Sequence, residues 1–405
     1  MKNYLILVLI ILGASNANSQ WTEVVTPSSY HLYCVETVTD DIVFAGGHGG
    51  SLVRTTDAGA NWESISIGSA DWINAIHFSS VTDGWMATSS GASSSAHLLK
   101  TTDGGLNWVS ALSTDEYTSM SWPSASTGYV GTWSGTVVKT IDGGLNWSTV
   151  TSPSTSNIPK IQFLDAQNGF AVSTDYYMHR TQDGGATWES FYHSGIRSVF
   201  FQDVNNGFCI DSYGRIGKTS DGGETFTYWQ STFVDYKLQD MHFSGPLTGY
   251  VVGGLDCGNG SCVNKPVILT TSDGGITWIN DTNHPLVGQT KGLYEIDCTP
   301  NGTPFIAGSN SIVLKNDAIA GLPDLNGENS VIVNPNPNAG QFSVSLPNNT
   351  QTIRIHSTTG KLVYEEQTGQ HKKVNIDITT VEKGVYFLSI DFINGTSQRE
   401  RLIVN

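Results

Sequence analysis

The chain has 405 residues, enough for two or three domains, with charged side chains at 14% against a typical ~25% and 44 glycines. Its formal charge of −16 is concentrated in residues 20–330, which hold 12 basic and 30 acidic side chains. A surface that acidic repels phosphate backbones and anionic membranes, which excludes a nucleic-acid binder and leaves solubility as the plain reading of the charge.

The first residues read as an export signal: Lys2, an apolar run from Tyr4 to Leu12, then small and polar residues up to Gln20. That run is too short to cross a bilayer, which needs about 20 residues. Residues 1–19 are therefore expected to be removed, with cleavage after Ala17 or Ser19. No Cys follows the run to carry a lipid, and no other segment is apolar enough to span. The mature protein is expected to be a monomer outside the cytoplasm. Five cysteines do not make a disulfide framework, but export permits pairing. Cys257 and Cys262, separated by Gly-Asn-Gly-Ser, can close a small ring. Cys34 and Cys298 fall in the first strands of the first and last repeat units, where a bridge could lock a closed ring, and Cys209 has no evident partner. No Cys-x-x-Cys or paired His spacing supports a metal site, and no cofactor motif occurs.

From Trp21 onward one stretch recurs. It runs from Arg54 to Trp62, Lys100 to Trp108, Lys139 to Trp147, Arg180 to Trp188, Lys218 to Phe226 and Thr270 to Trp278, with a worn seventh version starting at Lys315. The steps are 46, 39, 41, 38, 52 and 45 residues. A period of about 40 to 45 is that of a propeller blade. Within the third unit, Thr118–Trp122, Tyr129 onward, Gly135–Lys139 and Asn146–Val150 read as four short strands of one antiparallel meander. Asp83-Gly84, Asn168-Gly169 and Asn206-Gly207 read as two-residue hairpin turns with positive φ between the first and second strands. The seventh unit has no Gly-Gly-x-x-Trp and lacks its fourth strand. Trp21-Thr-Glu-Val resembles a fourth strand, so the start of the chain is expected to complete the last blade and hide two open edges.

The recurring Thr-x-Asp-Gly-Gly-x-Asn/Thr-Trp resembles the Asp-box of the bacterial neuraminidase repeat. Asp57, Asp103, Asp142, Asp183, Asp221 and Asp273 occupy its acidic position. They read as structural, because catalysis needs an acid once rather than six times around a ring. Over residues 20–319 the chain resembles photosystem II assembly and stability factor-like propellers, and more loosely the sialidase superfamily.

Residues 320–330 have linker composition, and residues 331–405 read as a small β-sandwich. Pro335-Asn-Pro337, Thr359-Gly-Lys-Leu-Val363, Lys383-Gly-Val-Tyr-Phe387 and the terminal Arg401-Leu-Ile-Val make this region similar to the type A C-terminal sorting domain of type IX secretion cargo. The resemblance implies that the secretion machinery is a partner of residues 331–405 and that the protein ends extracellular or on the outer cell surface. The fold class expected is thus all-β, a seven-bladed propeller followed by a small sandwich.

The sialidase resemblance implies an arginine triad, which this chain does not offer. Of Arg54, Arg180, Arg197 and Arg215, the first two occupy the third-strand position filled elsewhere by Lys100, Lys139 and Lys218. The propeller face opposite the Asp-boxes gathers Trp72, Tyr117, Trp133, Tyr177, Arg197, Tyr213 and Tyr236, aromatics that suit sugar stacking or a protein hot spot. The reading is a non-catalytic scaffold that binds an extracellular glycan or protein on that face. The alternative is a secreted glycoside hydrolase using a carboxylate pair about 5 to 10 Å apart.

Overall fold

The computed structural model describes residues 21–90, 96–228, 236–255, 265–316, 332–334, 340–346, 350–357, 361–368, 373–381, 383–392 and 397–404. The export signal, the linker at 320–330 and both Cys257 and Cys262 lie outside the described residues. By its contacts the chain divides into two units, 1–320 and 321–405. Among the described residues there is no α-helix, and so none long and apolar enough to cross a membrane.

Among the described residues the first unit holds seven four-stranded antiparallel sheets. Their first strands are Leu32–Thr37, Trp72–Phe78, Tyr117–Ser121, Lys160–Phe163, Ile196–Phe201, Tyr236–Phe243 and Leu293–Cys298. Each first strand packs on the next, and the seventh packs on the first, so the sheets close a ring. In the seventh sheet, Trp21–Val24 pairs with Val313–Asn316, Trp21 lying opposite Asn316. The start of the chain supplies the strand that the last unit lacks. Trp21 is 4% exposed, donates its indole N–H to Asp281 Oδ2 at 2.9 Å and meets Tyr250 edge-on at 6.2 Å.

Second strands such as Val43–Gly47, Gly128–Thr132 and Gly207–Asp211 are buried at every position, because neighbouring sheets cover both faces. The glycine that opens them is not a turn residue. Gly84, Gly169, Gly207 and Gly249 are absent from the positive-φ glycines and pair across the ladder with Phe78, Phe163, Phe201 and Phe243. A Cβ there would sit 2.5 to 2.8 Å from the facing ring. The expected two-residue hairpin is therefore replaced by a longer loop, in which Asp165 and Asp203 accept the N–H groups of Gln167 and Asn168, and of Asn205 and Asn206.

The repeated turn has one geometry six times over. In the second unit, Thr101 Oγ1 donates to Asp103 Oδ1 at 2.8 Å and accepts from Gly105 N, while Asn107 donates its backbone N–H and its amide to the two carboxylate oxygens at 3.0 and 2.8 Å. Both oxygens are occupied inside their own turn. The Asn107 side chain, then its backbone, holds the Asp103 carboxyl down to about 2. Asn146 does the same for Asp142, and Thr187 and Thr277 for Asp183 and Asp273, all to about 2. At Asp221 partial burial pulls upward, yet the Thr219 and Thr225 hydroxyls still hold it to about 2. Asp57 is lowered in the same direction, chiefly by Asn61.

A carboxyl depressed in the folded state stabilises the fold above its unfolded value, here 3.8, and loses that contribution as pH falls toward about 2. The urea midpoint is accordingly expected to fall between about pH 4 and pH 2, and Asp103→Asn to show a lower midpoint at neutral pH with a shallower acid decline. A midpoint flat across that range would contradict the assignment.

The turns also fasten neighbouring sheets. Strand-two rings stack on the ring at the end of the first strand of the next sheet, as in Phe44 on Phe78 at 4.5 Å and Trp85 on Trp122, just past Ser121, at 5.5 Å. Third-strand cations reach the turn of the next unit: Arg54 Nη1 donates to Gly104 O at 2.8 Å, Lys139 Nζ to Gly184 O at 3.0 Å, and Arg180 Nη1 to Asp221 O at 2.9 Å. The second glycine of each turn presses on the preceding sheet. At Gly144 (φ 78°) a Cβ would lie 2.0 Å from Trp85 Cζ2.

Cys34, Cys209 and Cys298 are free thiols. The Cys34 side chain joins the apolar cluster with Ile73 and Ile76 of the second sheet, whereas Cys298 packs with Tyr250 and Val252 of the sixth. They face away from each other, so the bridge considered from sequence does not form.

The second unit is built of a three-stranded and a four-stranded sheet, the latter ordered Leu362–Gln367, Thr350–Ser357, Gly384–Phe392, Ser397–Val404. Phe342, Val344 and Ile376 from one sheet and Ile353, Leu388 and Leu402 from the other share one buried core, as a sandwich requires.

Candidate functional site

Antiparallel pairing places the starts of the first strands and the ends of the second strands at one end of every sheet, and the repeated turns at the other. At that first end, six of the seven first strands carry a bulge, which falls at Tyr33, Asn74, Thr118, Arg197, Gln239 and Tyr294. Pro159 holds the same place in the remaining sheet, one residue before its strand begins at Lys160. A bulge re-aims one side chain, and here all seven equivalents line one of two adjoining cavities.

The axial cavity, about 450 Å³, is lined by Tyr33, Asn74, Arg197, Gln239 and Tyr294 together with Lys160, Asp240 and Glu295 from the next position along each strand. The second cavity, about 480 Å³, lies toward the second and third sheets and includes Trp72, Thr118 and Trp133. Tyr33, Asn74 and Pro159 border both, so the two form one trough. Tyr33 is the hinge of its aromatic wall, with Tyr294 at 5.6 Å and Trp72 at 6.1 Å.

The axial charges are held in place. Lys160 Nζ contacts Asp240 Oδ1 at 2.7 Å, Ser198 Oγ donates to the same oxygen, and Glu295 Oε2 accepts the Val35 N–H at 2.8 Å. Burial pushes the Glu295 carboxyl well above its usual range, and the Asp240 charge adds to this. Burial alone would lower the Lys160 ammonium, but Asp240 and Glu295 hold it above its ordinary value. Arg197 differs from these: its Nε is buried and has no hydrogen-bond partner.

The residues expected on this face divide into four groups. Trp72, Trp133 and Arg197 line the trough, with Trp133 59% exposed. Tyr177 and Tyr213 are exposed but line neither cavity; Tyr177 meets Tyr192 edge-on, and the Arg215 guanidinium lies over Tyr213. Tyr236 opens the first strand of the sixth sheet, and its side chain is outside the description. Tyr117 is a correction. It is fully buried, because it occupies the core position filled in the other units by Leu32, Ile73, Ile158, Ile196, Leu238 and Leu293. Sequence reasoning missed Tyr33, Asn74, Lys160, Gln239, Asp240, Tyr294 and Glu295. The repeats supply an internal alignment in which frame positions recur and the bulge position changes chemistry from unit to unit, and that contrast was the available signal.

Residues 332–405 match the family of secretion system C-terminal sorting domains. No curated protein matches the sequence. Among solved structures, YCF48 bound to D1 peptide is similar with a TM-score of 0.61 and 20% identity, over 73% of this chain and 96% of that one. YCF48 from Cyanidioschyzon merolae gives 0.60 and 20%, over 73% and 98%. The WD40 propeller domain of Doa1 gives 0.56 and 12%, over 73% and 96%. At these identities the likeness is one of fold. The chain is thus a β-propeller carrying a type IX C-terminal sorting domain at residues 332–405, which addresses it to the outer cell surface or the extracellular space.

Proposed function

We propose that the propeller is a non-catalytic binding scaffold, exported with loss of residues 1–19, which recognises an extracellular glycan or protein through the face bearing the trough. The observation that carries this reading is the set of seven equivalent bulge positions, varied in chemistry on a frame that otherwise repeats, all directed at one connected depression bordered by Trp72 and Trp133. Exposed tryptophans beside buried polar groups are the composition of a recognition hot spot. A propeller of this fold has been solved holding a peptide, which supports use of the fold for binding.

With the mature chain, Trp72→Ala and Trp133→Ala are each expected to weaken ligand binding at least about tenfold in calorimetry, without altering the melting transition. Unchanged affinity in both variants would remove this face from consideration.

The hydrolase reading has one observation in its favour, since Asp240 and Glu295 share the axial cavity. Their work elsewhere argues against it. Glu295 accepts the Val35 N–H and Asp240 the Ile296 N–H of neighbouring first strands, the same task that Glu36 and Asp297 perform for Phe78 and Thr37. Reducing-end release from a polysaccharide that vanished in Glu295→Gln would reverse this preference.

A further inference from the structure

Resting on the reading that the trough is the ligand site, we propose that its ligand is a neutral glycan chain, laid from the axial cavity outward over Trp72 and Trp133. The chemistry of the bulge positions carries the choice. Tyr33 and Tyr294 offer flat rings, Gln239 offers an amide, Asn74 an amide whose nitrogen already donates to Tyr117 O at 2.8 Å, Thr118 a hydroxyl that already donates to Ile158 O at 2.8 Å, and Arg197 an Nε–H without a partner. Among the bulge-equivalent positions only Pro159 is aliphatic, so apart from Ile196 the apolar lining of the trough consists of rings, which favour stacking over the seating of an acyl chain. Sugars present C–H faces that stack on rings and hydroxyls that both donate and accept; the Gln239 amide answers them in either direction, while Asn74 Oδ1 and Thr118 Oγ1 answer as acceptors.

Charge separates neutral from acidic glycans. The axial cavity has two basic and two acidic side chains, Lys160 and Arg197 against Asp240 and Glu295, and Lys160 is already paired. The propeller around it is strongly acidic, with 12 basic against 30 acidic residues over 20–330. Polyuronates and other anionic chains are repelled before they reach one arginine. A neutral chain meets no such barrier, and its hydroxyl or ring oxygens supply an acceptor for the Arg197 guanidinium, whose Nε has none.

The test is calorimetry of the mature full chain against linear cello-, xylo-, manno- and malto-oligosaccharides from disaccharide to hexasaccharide, with oligogalacturonates as the acidic arm. At least one neutral series is expected to bind, with affinity rising at least about tenfold from disaccharide to hexasaccharide as both cavities fill. Trp133→Ala and Arg197→Met should each cost at least about tenfold with the hexasaccharide, while Trp133→Phe, which keeps a flat ring, retains most of the affinity. Binding of oligogalacturonates alone overturns the neutral assignment. If no oligosaccharide binds at millimolar concentration, the glycan proposal is wrong. A peptide-display selection on the same protein then separates the two levels: binders abolished by Trp72→Ala and Trp133→Ala leave the face as the ligand site, and their absence rejects the face as well.

Discussion

Trp21→Ala is expected to destabilise the propeller by about 3 to 5 kcal/mol, the range for removing a large buried ring, and to convert a single unfolding transition into one that opens at the seventh sheet first. The side chain is 4% exposed, packs with Tyr250, Leu293 and Leu314, and donates to Asp281. Truncation leaves a cavity and strips one partner from an aspartate that is itself 8% exposed. Asp281→Asn should cost less, about 1 kcal/mol, because an amide oxygen still accepts the indole N–H. Urea unfolding of the two variants checks both figures, with hydrogen exchange in Val313–Asn316 reporting where opening begins. A Trp21→Ala protein as stable as the parent would mean that the closing strand does not hold the ring.

Gly144→Ala is the second large effect, expected at about 4 kcal/mol or failure to fold. Two costs combine. The residue sits at φ 78°, and its new Cβ would lie 2.0 Å from Trp85 Cζ2. Trp85 cannot retreat, being 1% exposed and held between Trp122 at 5.5 Å and Trp147 at 5.4 Å. Gly143→Ala separates the terms, since Gly143 also has positive φ (68°) but its nearest neighbour would be 3.4 Å away. It should lose only the backbone cost of about 1 to 2 kcal/mol. Equal losses in the two variants would show that contact with Trp85 adds nothing.

The frame was legible because it repeats. Thr-x-Asp-Gly-Gly, with Ala58 for the first glycine in the first copy, and its partner Trp, Phe226 in the fifth, announce the same turn six times, and the missing seventh copy pointed to Trp21 as the closing strand. What repetition could not report is what each residue touches. Gly84 and Gly169 looked like turn glycines from their Asp-Gly and Asn-Gly context, but their reason is the Phe78 and Phe163 ring across the ladder, a contact invisible in a dipeptide. Tyr117 looked like a rim aromatic, although its counterparts Leu32, Ile73 and Ile158 mark a core position. The candidate site was read from exposed-looking aromatics, which found Trp72 and Trp133 at the outer cavity. It missed Tyr33, Asn74, Gln239 and Tyr294, because a bulge turns inward a side chain that strict alternation assigns elsewhere.

Closure by Trp21–Val24 against Val313–Asn316 also sets an order of events in folding. The two partners are separated by nearly the whole propeller, so their pairing carries the largest loop-closure entropy in the ring and comes after the sheets between them have formed. Until then each molecule carries one loose strand and one receptive edge. Those ends are complementary between molecules as well as within one, so at high concentration the first strand of one chain can complete the last sheet of another. Refolding yield should therefore fall with protein concentration, with strand-exchanged oligomers as the side product.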